Sequence, residues 1–468
     1  MKNEYTIKYG GIRLWLIVLA VTVLTAGGSI LYLSNIANTS GTKVASEYPA
    51  PSLSVAYDSA IGAINLVDHG VFSRSTTSPF VSDMWRTPGY PFFVAPFYAL
   101  FGNFYTVLIA QIFILFLTAL LIFSMSSRVI GQKWSLALVI LYLFLPTTML
   151  SASTLLNENV FVFVFIIALY VFFFSELKNM YVRWALTGFL LALTVYIRPA
   201  SIYFLIFFIP AYFVFYLPRA EFSRKHVFAA FLMIVAFLGT LAPWCVRNKI
   251  QLDSWQFAST GPFFLFRQNA TQFYEGYNGI SNLEARYALE DMAGIPRGPV
   301  PTDPKYSAVM QKVALEVIFA HPFRYAIWHL STFIPFFTSS GANDYWVFVN
   351  NMGPNFDRPP EPSLIQALHP FKFDTLVVVI KNHGWTLVEN TAWAFVTLLV
   401  LVGLWRSKNT RLARIFFVIA IYFAFVTGPG SHARYRIPVE PLLLISALST
   451  VMYLYERRTQ FISSLSKE

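Results

Sequence analysis

Eleven stretches of this chain, at 12–33, 104–126, 134–153, 157–175, 183–197, 200–217, 227–245, 313–337, 388–405, 412–429 and 437–455, are built almost wholly of apolar residues. Their lengths cluster near the ~20 residues that an α-helix needs to cross a hydrocarbon core of ~30 Å. Composition agrees: 56% of the 468 residues are hydrophobic and 12% are charged, about half the charged share of an ordinary soluble domain. The chain reads as an all-α polytopic membrane protein of about 10–12 transmembrane helices.

The first run is longer than the hydrophobic region of a secretory signal and lacks a clear small-residue cleavage site, so it is expected to stay as a helix. The net charge of +11 comes from basic residues gathered in short loops, at Lys2 and Lys8, Arg128 and Lys133, Lys178 and Arg183, Arg219 to Lys225, Arg406 to Arg414, and Arg457-Arg458. The positive-inside rule makes these loops cytoplasmic, so the surplus sets topology and calls for no nucleic acid. Segments 35–103 and 246–312, and the short loops at Asn157–Asn159, Arg198-Pro199 and 428–436, then lie on the extracytoplasmic side of a multi-pass protein of the cell inner (plasma) membrane. The single cysteine, Cys245, sits inside an apolar run and offers neither a disulfide nor a thiolate metal site. Its expected role is to fill space.

A single membrane domain over 1–468 therefore carries its polar insertions on one face. In 35–103, stretches 57–71 and 90–101 have the spacing of short helices lying along the membrane interface. Regions 246–312 and 339–387 are rich in turn-forming residues and read as lids, the first of them flexible. His329 and Pro335 weaken 313–337 as an ordinary lipid-facing span. No internal repeat is evident, which counts against transporters built from duplicated halves.

The order of motifs across these segments is specific. An acidic residue after the first span, Asp58, is followed by His69-Gly70-Val71-Phe72-Ser73 and by Arg86-Thr87-Pro88-Gly89-Tyr90-Pro91. Glu158 then opens a helix, and Arg198-Pro199, Pro243-Trp244 with Arg247-Asn248, His321-Pro322 and Ala433-Arg434-Tyr435-Arg436-Ile437-Pro438 complete the series. This order resembles the family 39-like branch of the C-type membrane glycosyltransferases, the group of the protein O-mannosyltransferases and the lipid A aminoarabinose transferase. The resemblance runs from the first span to the last. It implies a polyprenyl-phosphate-linked sugar as donor, a lipid, glycan or protein hydroxyl as acceptor, and a loop carboxylate as catalytic base. Asp58 is the position that best fits the base; it stands closer to Ala63, Asn65 and Leu66 than the family sets it, so Asp68 and Asp83 are held in reserve.

The chemistry is consistent with that implication on its own terms. A phosphate leaves as a stable anion, so one base acting on the acceptor hydroxyl suffices, whereas glycoside hydrolysis divides acid and base work between two carboxylates. What the departing phosphate needs is positive charge, best from guanidinium groups that bond two oxygens at once. Arg434, Arg436, Arg198 and Arg247, with Tyr435, are the expected donor-phosphate residues, since Arg434 and Arg436 break the charge rule on the outer face and call for an anionic partner. Glu158, His69, Arg86 and Tyr90 are the expected substrate-positioning residues. The expected reaction is a single displacement with inversion, without a cofactor.

Plainer readings stand beside these. Asp58 suits the N-cap of the first interfacial helix, Glu158 suits the positive end of a helix dipole, Arg198 is placed to snorkel to the interface, and Trp244 to anchor there. Arg247 and Asn248 read equally as solvated, and His321 as a cap or packing residue. A divalent metal between His69, His321 and Glu158 is conceivable, but no ligand spacing supports one. As a whole, a secondary transporter or flippase of lipid-linked sugars is the alternative function, and an O-antigen ligase or polymerase a third; the transporter predicts charge near the bilayer midplane, whereas here it is concentrated at one end of the spans.

Overall fold

The computed structural model describes residues 11–39, 53–297, 305–342, 345, 373–407, 409–430 and 432–465; of these, side chains 11–13, 34–39, 53–58, 373–383 and 463–465 lie outside the description. No strand occurs among the described residues, and nearly every apolar run has become helix. The first run is one rod, in which α1 (Gly11–Thr22) passes through a π-helical turn, Val23–Gly27, into α2 (Gly28–Thr39). Next come α3 (Leu53–His69) and α4 (Gly89–Phe101), over the two stretches read as interfacial helices. The long α5 (Tyr105–Ile130) follows. Then α6 (Gln132–Leu143) and α7 (Pro146–Ser153) form a pair bent by 60° at a proline-led break. Four further helices follow, α8 (Glu158–Phe174), α9 (Met180–Ile197), α10 (Phe204–Ala211) and α11 (Arg224–Leu252), of which α11 turns much of its surface outward.

Among the described residues seven helical segments are long and apolar enough to cross a membrane, and an eighth if the bent pair is one span. The run at 157–175 yields a shorter apolar helix of 17 residues, α8, buried along most of its length. Between helices in lipid the drive to associate comes from close packing rather than from hydrophobicity. Gly188 of α9 provides it directly, because a methyl there would run into the Met233 carbonyl of α11. Rings fill the remaining space: Phe172 meets Trp184 at 5.0 Å, and Phe165 meets Phe204 at 5.4 Å. Such edge-on pairs add about 0.5–1.5 kcal/mol each beyond the area they bury.

Two expectations change here. The described residues of segment 246–312 are mostly helical: α11 runs on to Leu252, and α12 (Thr260–Phe264), a π-helical turn Leu265–Ala270, α13 (Thr271–Asn278) and α14 (Asn282–Met292) follow. With α15 (Lys305–Ala320) they enclose a small core of Phe266, Leu289, Met310 and Val313. Ser281 and Glu284 cap α14 reciprocally, and buried Glu290 holds Arg267 at 2.5 Å and Arg286 at 3.1 Å. The Asn, Gly and Tyr content of the segment masked apolar residues at helical spacing. The run 313–337 is not one span either. It is α15, then α16 (Pro322–Ser331) and α17 (Phe333–Thr338), broken where Pro322 can only begin a helix and again at Thr332. Much of the expected lid at 339–387 lies outside the described residues. Beyond it come α18 (Phe373–Gly403), α19 (Thr410–Thr427), the short α20 (Ala433–Arg436) and α21 (Glu440–Leu465).

Candidate active site

The Arg86–Pro91 turn is held against the end of α9 by close backbone contact. Thr87 Oγ1 donates to the Ile197 carbonyl at 2.9 Å, Asn157 Nδ2 donates to the same oxygen at 3.1 Å, and a methyl at Gly89 would stand 2.6 Å from the Tyr196 carbonyl. Only glycine lets the backbones approach so closely. The result is that Arg86, the start of α4, the start of α8 and Arg198 meet at one end of the bundle.

Glu158, in the first turn of α8, is fully buried there. Its Oε1 accepts from Arg434 Nε and lies 3.2 Å from an Arg198 terminal nitrogen. Its Oε2 has no hydrogen-bond partner among the described residues. The Arg198 guanidinium also lies over the Tyr435 ring at 5.6 Å and the Phe161 ring at 5.9 Å. Burial holds the Arg198 pKa below the usual guanidinium value; Glu158 opposes that shift, while Arg434 and Arg86 add to it. The group stays protonated nonetheless. Two arginines thus share one oxygen of a buried carboxylate, and the Arg86 charge is felt at Arg198.

Tyr90 stands near enough to feel the Glu158 charge, but it is buried and its hydroxyl donates to Gln111 Oε1 at 2.7 Å. Gln111 in turn donates to the Thr154 carbonyl at 2.8 Å and accepts, through its own backbone carbonyl, from Asn159 Nδ2 at 2.7 Å. Tyr90 therefore builds the wall of the site. Gln111 went unnoticed in the sequence, although it is the one amide in the apolar run 104–126, and a polar group at that depth calls for a partner.

Other expected residues stand apart. Arg436 is buried on the far side of α20, donating to Glu440 at 3.3 Å, to the Phe336 carbonyl at 3.0 Å and to the Ser339 carbonyl at 2.9 Å, with the Trp393 ring 3.8 Å from its guanidinium. Side chains on a short helix diverge, so the expected Arg434–Arg436 pair is divided between two sites. Arg247 lies over the Trp244 ring at 4.7 Å and donates to the Asp83 carbonyl at 2.8 Å. Asp83 is itself paired with Arg74. Trp244 is buried, its indole donating to the Phe257 carbonyl at 3.1 Å, and is no interface anchor. His69 stacks on Phe80 at 3.8 Å, His321 stacks on Tyr277 at 4.2 Å, and Asp68 accepts from Tyr98 at 3.2 Å. Asp58 lies inside α3, which begins at Leu53, and so is not its N-cap; its side chain lies outside the described residues. No group of three metal-ligating side chains occurs among the described residues.

Residues 85–244 match the family described as dolichyl-phosphate-mannose-protein mannosyltransferase. Among solved structures the chain is similar to the archaeal oligosaccharyltransferase AglB from Archaeoglobus fulgidus, in complex with an inhibitory peptide and a dolichol-phosphate, at 12% identity and a TM-score of 0.49. That alignment covers 99% of this chain and 52% of the other, so the chain spans about half that protein's length. No curated protein sequence matches it. Over residues 85–244 that match agrees with the resemblance to the protein O-mannosyltransferases drawn from the sequence.

Proposed function

We propose that the protein transfers a sugar from a polyprenyl-phosphate-linked donor to a hydroxyl acceptor on the extracytoplasmic face of the plasma membrane, by a single displacement with inversion. The observation that carries the reading is the buried Glu158 carboxylate with Arg198 and Arg434 on one oxygen. Glu158 holds the two guanidiniums before the donor arrives, which spares the cost of ordering them during reaction. Guanidinium N–H groups of Arg198 and Arg434 bind the donor phosphate and take up negative charge as the glycosidic oxygen leaves with it. Asp58 removes the proton of the acceptor hydroxyl as that oxygen bonds to the anomeric carbon. Arg436 and Arg247 have structural roles instead.

The test uses the full chain in lipid nanodiscs with radiolabelled polyprenyl-phosphate sugars and a panel of lipid, glycan and peptide acceptors. A labelled product with a new glycosidic bond is expected, lost in Asp58→Asn while donor binding survives. Normal turnover by Asp58→Asn would remove the assigned base; movement of label across a vesicle membrane with no new bond would replace the whole reading by transport.

A further inference from the structure

Apart from the site, polar side chains concentrate at the junction between α16, the π-helical turn 265–270 and the link from α19 to α20. That link begins Gly428-Pro429-Gly430. Gly428 has φ 52° and ψ −136°, which only glycine adopts without strain. Its surroundings are equally restrictive: a methyl there would meet Asn269 Oδ1 at 2.7 Å and His329 Cε1 at 2.9 Å, and one at Gly430 would overlap Gln268 Oε1. Side chains from two elements press on two glycines.

His329 also bonds the end of α19. It is buried, and its Nε2 lies 2.9 Å from the Phe425 carbonyl oxygen. A carbonyl can only accept, so Nε2 carries the proton and Nδ1 is left to accept from the Tyr325 hydroxyl 3.2 Å away. Phe425 is in the last turn of α19, and the residue four positions on is Pro429, which has no N–H to offer its carbonyl. Tyr325 shares its single proton between His329 Nδ1 and Asn269 Oδ1, 3.1 Å away. His329, Tyr325 and Asn269 so tie the end of α19 to the π-helical turn.

We propose that His329 and Asn269 are positioning residues for transfer: by clamping the Gly428–Gly430 turn they fix where α20 presents Arg434 to Glu158 and to the donor phosphate. The inference rests on the reading of Arg434 as a phosphate ligand. Gly430 lies close before Arg434 in the chain, and although Pro429 fixes its own φ, the glycine on either side of it leaves the direction of the turn to its neighbours. A displacement of about 1 Å at a group contacting the substrate can cost up to ~100-fold.

The experiment compares wild type, His329→Phe, His329→Gln and Asn269→Ala, each full-length in nanodiscs. Three quantities are read: hydrogen–deuterium exchange over 433–436 without substrate, binding of undecaprenyl phosphate, and KM and kcat for transfer. Glutamine retains an N–H where the imidazole Nε2 stands. His329→Phe and Asn269→Ala are expected to speed exchange, to raise the undecaprenyl phosphate Kd and the donor KM by ~10-fold or more, and to lower kcat as well, since Arg434 meets charge that grows in the transition state; His329→Gln should recover most of the loss. Asn269→Ala keeps the test decisive if His329→Phe does not fold. Unchanged exchange in these variants, faster exchange with unchanged Kd and KM, or no recovery by glutamine would each overturn the proposal alone. A wild-type protein that binds no polyprenyl phosphate would overturn the functional reading and this inference together.

Discussion

Glu158→Gln separates a site carboxylate from a helix cap. The substitution keeps the shape and one carbonyl oxygen but removes the charge that holds Arg434 and Arg198. Breaking a fully buried pair by removing one partner costs about 3–5 kcal/mol. Here the two guanidinium side chains remain 29% and 12% accessible, so water recovers part of their solvation and about 2–3 kcal/mol is the expected loss. The same loosening should lower kcat/KM by about 100-fold, equivalent to ~2.7 kcal/mol. Thermal unfolding in nanodiscs measures the first quantity and transfer kinetics the second. A double-mutant cycle with Arg434→Gln isolates the pair, whose coupling should fall within ~0.5–3 kcal/mol. Melting within about 2 °C of wild type, with turnover within about threefold, would refute the idea that Glu158 organises the arginines; a capping carboxylate at an exposed terminus is worth only about 0.3–1 kcal/mol.

Three more outcomes follow from the packing. Arg436→Met leaves Glu440 buried without its guanidinium and should destabilise by about 3–5 kcal/mol, while Arg436→Met with Glu440→Leu recovers most of it; paired thermal melts decide. Gly89→Ala pushes the Arg86–Pro91 turn off the Tyr196 carbonyl, costing about 1–3 kcal/mol and lowering transfer more than a surface substitution would; activity beside melting temperature checks this. Burial holds the His329 pKa below its usual value, partly offset by its bond to Phe425, with Tyr325 the titratable side chain in contact with it. The native state therefore resists its protonation: stability is complete above the unfolded pKa of ~6.5 and declines as pH falls below it. Melting curves between about pH 7.5 and 5.5, either side of that value, should drop less in His329→Gln.

The sequence determined the solvent and the helices of the long apolar runs, but not the helices of 260–292 or the breaks within 313–337. Apolar runs near membrane length left helices as the expected architecture, and the two helices that carry His69 and Tyr90 fell close to where apolar spacing put them. Residues that bear charge at the ends of apolar runs, Glu158, Arg198 and Arg434, were visible because such charge is costly unless it has a partner. Their common location was a property of the tertiary structure alone. Glu158 is 276 positions from Arg434, and nothing local to either decides which arginine meets it. Arg434 and Arg436 look equivalent in sequence, yet a short helix points them to different neighbours, one to the site and one to a buried knot with Glu440 and Trp393. Gly428 and His329 likewise gain meaning only when α16 and the end of α19 come together, because close approach and a carbonyl in need of a donor are relations between segments.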